Sequence, residues 1–163
     1  AIADYDGPVY LRFGRPKVPN FIPADLPFEI GKALTLRSGS DVTLLATGHL
    51  VWPALQAAEK LAAEGVHAEV INVHTIKPFD EETVLASVRR TGCVVTAEEH
   101  QLFGGLGELT GGLLAQNTPT PMEMVAVRDS FGESATPEEL MAKYGLNEEA
   151  LVQAAHRVLS RKG

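Results

Sequence analysis

The sequence predicts a three-layer α/β/α domain on a mostly parallel sheet with one antiparallel strand. Three observations carry this. From about Phe28 onward, short apolar runs alternate with longer segments whose apolar residues recur at helical spacing, as a chain shuttling between parallel strands and covering helices does. Helix start and stop signals fall where the alternation needs them. Two strand-like runs near the start are separated only by Arg37-Ser38-Gly39-Ser40-Asp41, too short for a crossover helix; they read as a hairpin and supply the antiparallel strand.

In chain order, Gly7-Pro8-Val9-Tyr10-Leu11-Arg12-Phe13-Gly14-Arg15 reads as one short strand carrying two closely spaced arginines. A strand that opens a chain with nothing before it to pair with resembles the tail of a larger domain, so the chain reads as a fragment. Pro16, Pro19, Pro23 and Pro27 follow; that density forbids a helix and removes ladder donors, predicting an extended connector. The expected division is therefore a tail and linker over 1–27 and a folded domain over 28–163. Within the latter, Gly31 to Leu36 and Val42 to Thr47 read as strands. A helix follows with Pro53 in its first turn, Leu55, Ala58, Leu61 and Ala62 on one face, and Gly65 at its end. Ala68 to Val73 is the next strand. Asp80 opens a helix with Glu81 and Glu82 in its first turn and Arg89 and Arg90 in its last, an order that complements the helix dipole. Cys93 to Ala97 is a strand, Leu106 to Gln116 a helix and Met122 to Val127 the last strand. Thr136-Pro137-Glu138-Glu139 is a capping-box start, and Asn147 caps a final helix whose Leu151, Val152, Ala155, Val158 and Leu159 face the core.

Composition narrows the function. The formal net charge is −7 and no run of lysine and arginine forms a basic stripe, which argues against a nucleic-acid partner. The apolar runs are too short to span a bilayer and no signal-peptide pattern is present, so no membrane partner and a cytoplasmic location are expected. The single cysteine, Cys93, excludes an intramolecular disulfide and a thiolate zinc cluster; its apolar strand reads as the home of a buried structural thiol.

No HExxH, GxSxG or GxxxxGK[ST] pattern occurs, and the histidines at 49, 67, 74, 100 and 156 lack metal-ligand spacing. Gly105-Leu106-Gly107 begins like a dinucleotide fingerprint, but the sixth position is Thr110 and the glycines lie several residues past the strand. A close strand–helix turn is the better reading. Glu98-Glu99-His100 sits at the carboxyl end of a strand, where α/β sheets collect functional groups. Because neighbouring residues on a strand point opposite ways, at most two of the three should face one site; an interface or loop-fixing role is favoured over acid–base catalysis. His49 follows another strand end and could lie at the same edge. Trp52 reads equally as packing or as an interface anchor.

Taken together, five segments resemble the C-terminal part of transketolase-type, thiamine-diphosphate-dependent enzymes. They are Gly7 to Arg15, Asp41 to Gly48, Val73-His74-Thr75-Ile76-Lys77-Pro78-Phe79-Asp80, Thr96 to His100 leading to Gly104-Gly105-Leu106-Gly107-Glu108, and Asp129-Ser130-Phe131-Gly132-Glu133-Ser134. The last, followed by Thr136 to Leu140, is most similar to split transketolase subunits. Deoxyxylulose-phosphate synthases and 2-oxo-acid dehydrogenase beta subunits resemble it less. The resemblance implies a five-stranded sheet with one antiparallel strand, and a parent enzyme that moves a two-carbon ketol unit between sugar phosphates in the pentose phosphate pathway. It implies that thiamine diphosphate and Mg²⁺ are bound by domains absent from this chain, so the fragment alone is not catalytic, and that residues 1–27 are the tail of the pyrimidine-binding domain plus its linker. Partners would be sugar-phosphate substrates and the thiamine-diphosphate-binding subunit or domain, in a homodimer or heterotetramer. Arg15 takes the position of a substrate-phosphate-binding arginine, with Pro16 where the family often has glutamine; Arg12 is a second candidate, turned to the opposite face by strand alternation. A non-catalytic dimerisation or docking module, or a related enzyme using a 2-oxo acid donor, are the alternatives.

Overall fold

The computed structural model describes residues 1–15 and 17–162. Among these, five strands form one sheet: β1 (Leu34–Arg37), β2 (Val42–Ala46), β3 (Ala68–Asn72), β4 (Val94–Gln101) and β5 (Met122–Val127), in the order β1-β3-β2-β4-β5. β1 is antiparallel to β3, and the remaining pairings are parallel. The helices are α1 (Val51–Ala63), α2 (Glu81–Thr91), α3 (Leu106–Asn117), α4 (Pro137–Lys143) and α5 (Glu148–Leu159). Among the described residues, no helix is long and apolar enough to cross a membrane.

β2 and β3 are buried along their whole length, because helices cover both faces of the sheet; such strands read as unbroken apolar runs rather than alternating ones. Leu44, Leu61, Leu151 and Val158 pack in the layer beneath α1 and α5, while Leu45, Ile71, Val84 and Leu106 pack beneath α2 and α3. Full burial of each such side chain stabilises the fold by about 1.5–3 kcal/mol. One polar group is built into the α2 face. Thr43 Oγ1 lies 2.6 Å from both Ser87 Oγ and Thr91 Oγ1, and Ser87 and Arg90 both donate to the buried carboxylate of Glu69. The hydroxyls satisfy one another, so the strand–helix contact is made without orphaned donors.

The helix-start signals act as expected. Asp80 Oδ1 accepts from the Thr83 amide at 3.2 Å, while Oδ2 accepts from the Ala33 amide at 2.8 Å. The residue that caps α2 therefore also ties down the entry to β1. Gly92 ends α2 with φ 72°, a left-handed value that glycine adopts without a Cβ penalty. Thr136 and Glu139 make both bonds of the capping box, and Asn147 Oδ1 accepts from the Ala150 amide at 3.0 Å.

Two expectations are corrected. The opening pair is not a hairpin: β1 pairs with β3, because both sides of β2 are taken by parallel neighbours. The loop after β1 crosses the start of β3 instead. The Ser40 and Asp41 amides donate to the His67 carbonyl at 2.9 and 3.0 Å, and a Cβ on Gly39 would stand 2.3 Å from the β3 backbone. Only glycine allows that crossing. Residues 7–15 form no strand, since a strand needs a ladder partner and the described residues bring none to it. The connector beyond them is tied to the domain. Phe21 stacks on Trp52 with centroids 5.6 Å apart, and Phe28 lies 4.4 Å from the His74 ring.

Candidate functional site

The winding of the sheet reverses between β2 and β4. α1 carries the chain from β2 outward to β3, whereas α3 carries it from β4 outward to β5. Where neighbouring connections leave in opposite directions, a crevice opens at the carboxyl ends of the strands. Every residue singled out as a possible site residue except Arg15 meets there.

Glu98 is 2 % exposed and turned inward. Its carboxylate accepts from the Leu106 and Gly107 amides, both at 2.9 Å, so it occupies the positive end of α3 with two charge-assisted bonds. This explains Gly105-Leu106-Gly107. A Cβ on Gly105 would sit 2.1 Å from Glu98 Oε2, and one on Gly107 would sit 2.8 Å from Met124 Sδ. The amides that a nucleotide phosphate would need are already taken by this chain's own carboxylate.

Glu99 and His100 face the segment around Arg12. Arg12 Nη1 donates to Glu99 Oε1 at 3.2 Å and also contacts His100 Nε2, while Glu99 Oε2 lies 3.6 Å from His49 Nδ1. Arginine has no acceptor, so His100 Nε2 accepts and the proton is assigned to Nδ1, which faces Glu98 Oε2 at 3.6 Å. The alternation rule for neighbouring strand residues fails here for a physical reason. The pairing of β4 with β5 is irregular between Ala97 and Gln101, and such an irregularity re-aims side chains. Two adjacent residues therefore grip one guanidinium.

His49 stands on the 3-10 turn Gly48–Leu50 that leaves β2, made possible by Gly48 at φ 57°. The chain at Gly14 rests directly on its ring: a Cβ there would lie 1.9 Å from His49 Nε2. Sequence reasoning missed Gly14, and its only signal was a glycine between two arginines. Arg15 is exposed and makes no ion pair or side-chain hydrogen bond among the described residues. Two surface hollows are lined by none of these residues, one of about 330 Å³ beside α3 at Leu109 and Leu113 and one of about 530 Å³ beside His67 and Arg90. Cys93 is buried beneath the opposite strand ends, and its burial pushes the thiol pKa up.

Among the described residues, no group of three or more histidine, cysteine, aspartate or glutamate side chains is placed to hold a metal ion. The Leu106 and Gly107 amides, which could have met a phosphate, are committed to Glu98. No described residue is assigned to a thiamine diphosphate or Mg²⁺ site.

The family described as transketolase, C-terminal domain, matches residues 31–151. The chain belongs to the transketolase C-terminal domain family. It is 50% identical over 99% of its length to a 6-deoxy-6-sulfo-D-fructose transketolase subunit of Clostridium sp. strain MSTE9, covering 50% of that protein. It is 37% identical over 94% of its length to one of the subunits of an apulose-4-phosphate transketolase of Phocaeicola vulgatus, covering 49% of it. A 1-deoxy-D-xylulose-5-phosphate synthase of Geobacter sulfurreducens is 38% identical over 98% of the chain, which covers 26% of that protein. Among solved structures, a split-gene transketolase described as an inactive beta4 tetramer superposes with a TM-score of 0.88 at 43% identity, over 91% of this chain and 49% of that one. The chain thus spans about half the length of these transketolase relatives.

Proposed function

We propose that this chain is the C-terminal part of a split-type transketolase that transfers a two-carbon ketol unit between sugar phosphates. In this reading thiamine diphosphate supplies the carbanion chemistry when bound by another part of the assembly. This chain's residues grip substrate and support that site. The observation that carries the reading is the contrast between two arginines three residues apart. Arg12 is tied to Glu99 and His100 at the domain edge, while Arg15 is exposed with its fork of donors uncommitted among the described residues. A planar guanidinium in that state suits bidentate recognition of a substrate phosphate.

The test is ketol transfer by the assembled enzyme with its partner subunit, thiamine diphosphate and Mg²⁺, using a ketose phosphate donor and an aldose phosphate acceptor. Arg15→Ala should raise KM for phosphorylated donors by about 10- to 100-fold, the equivalent of one charge-assisted contact, and raise it far less for an unphosphorylated donor. Equal effects on both would sink the phosphate role. A second reading keeps the family and changes the donor to a 2-oxo acid, supported by the similarity to a deoxyxylulose-phosphate synthase. Turnover only with a 2-oxo acid, accompanied by carbon dioxide release, would select it.

A further inference from the structure

The arginine-bearing segment 12–15 has no sheet partner among the described residues, yet it is held at one place on the carboxyl edge. Its side of the contact is Arg12 and Gly14; the domain's side is Glu99, His100 and His49. We propose that Glu99, His100 and His49 form a positioning clasp that fixes where segment 12–15 lies and so aims Arg15 at the substrate phosphate. This rests on the assignment of Arg15 made above, and gives the C-terminal domain a role in specificity without placing any of its residues on the substrate.

Three features argue for a built clasp rather than a chance surface ion pair. The carboxylate of Glu99 has its two oxygens directed to two different elements, Oε1 to Arg12 and Oε2 toward His49 on the turn after β2. Its side chain is 18% exposed against 51% for that of Arg12, so the carboxylate is the sheltered, fixed end of the pair. Behind it, His100 is backed by Glu98, whose position is set by the α3 amides. The guanidinium of Arg12 is thus referenced through side chains to the rigid start of α3. The contact is also shape-specific: Gly14 meets the tip of the His49 ring so closely that a Cβ there must either turn the ring aside or lift the segment. With the ring held beside Glu99, the chain two residues beyond the arginine contact keeps its distance from the domain. Arg15 follows immediately.

The clasp makes a prediction that a merely stabilising contact does not. In the assembled holoenzyme with its partner subunit, Glu99→Ala and Gly14→Ala should each raise the ratio of KM for a phosphorylated donor to KM for an unphosphorylated donor by about tenfold, as misplacing one phosphate contact does. Glu99→Gln, which keeps an acceptor for Arg12, should recover part of the loss. The double variant Gly14→Ala/His49→Ala should recover most of the Gly14→Ala loss, because the obstructing ring is gone and the segment can settle back. The Arg15→Ala variant is the reference. If Arg15→Ala raises the ratio but Glu99→Ala and Gly14→Ala do not, the clasp is wrong and the phosphate role of Arg15 stands. If none of the three changes it, both fall. If His49→Ala deepens rather than relieves the effect of Gly14→Ala, steric registration of the segment is rejected.

Discussion

Removing the Glu98 carboxylate should destabilise the domain far more than its place near a loop suggests. Its two oxygens each accept from a backbone amide at 2.9 Å, and the side chain is 2 % exposed, so no water can replace either bond. Hydrogen bonds to an ionised group are worth about 1.5–3 kcal/mol each, and every buried donor left unpaired costs about 1–3 kcal/mol. Against these stands the recovered cost of burying a charge. A net loss of about 3 kcal/mol is therefore expected for Glu98→Ala, equivalent to a fall in Tm of roughly 6–12 °C for a chain of this size. Glu98→Gln keeps one acceptor but turns its NH₂ toward the second amide, and should cost about 2 kcal/mol. The assay is urea unfolding followed by circular dichroism, with the slope against denaturant expected to stay constant while the midpoint falls. If both variants lose less than about 1 kcal/mol, the carboxylate is not anchoring α3, and the reading of Gly105 as a glycine cleared for that anchor fails with it.

The other expectations are smaller. Thr43→Val keeps the volume but strips a hydroxyl that lies between Ser87 and Thr91, and should cost about 1–2 kcal/mol in the same unfolding assay; a neutral result would show the buried hydroxyls are satisfied without it. His74 is half-buried against Phe28, and burial lowers its pKa. The unfolded chain then binds that proton more readily than the folded one, so the contribution is complete above the ordinary imidazole pKa and declines as pH falls below it. NMR titration should place the His74 midpoint below that of an exposed histidine, and His74→Phe should flatten the acid-side loss of Tm; a midpoint at or above the ordinary value contradicts this.

The fold was legible where local chemistry decides structure. Apolar runs, the Asp80 and Asn147 caps, the Thr136 capping box and Gly65 place strands and helices without reference to anything distant. What was not legible is pairing. The runs around Leu34 and Val42 look like a hairpin because sequence shows that the loop between them is short, but not that β3, beyond the whole of α1, fits between them. That insertion is recorded only in Gly39, whose missing Cβ lets the loop cross the β3 backbone. The candidate site divides the same way. Glu98, Glu99, His100 and His49 could be marked from their positions at strand ends. That neighbours Glu99 and His100 both reach Arg12 could not, because it depends on an irregularity in the β4–β5 ladder. A strand assigned to residues 7–15 failed for the complementary reason: β-type composition makes a strand only where a ladder partner exists.

The adjacent glutamates offer the sharpest way to decide what the carboxyl edge is for. Glu98 and Glu99 share a strand and a charge, yet one is closed in by backbone amides and the other opens toward an arginine and a histidine from two separate elements. A purely architectural edge would make both losses appear as stability, scaled by burial. An edge that also registers segment 12–15 makes them separate: Glu98→Ala lowers Tm while Glu99→Ala, a partly exposed pair worth at most about 1 kcal/mol to folding, shifts donor discrimination with Tm nearly unmoved. Since burial alone would rank the two variants in the same order in every assay, a reversal of rank between thermal stability and donor discrimination cannot come from packing. It requires that the position of the arginine segment matters to the substrate.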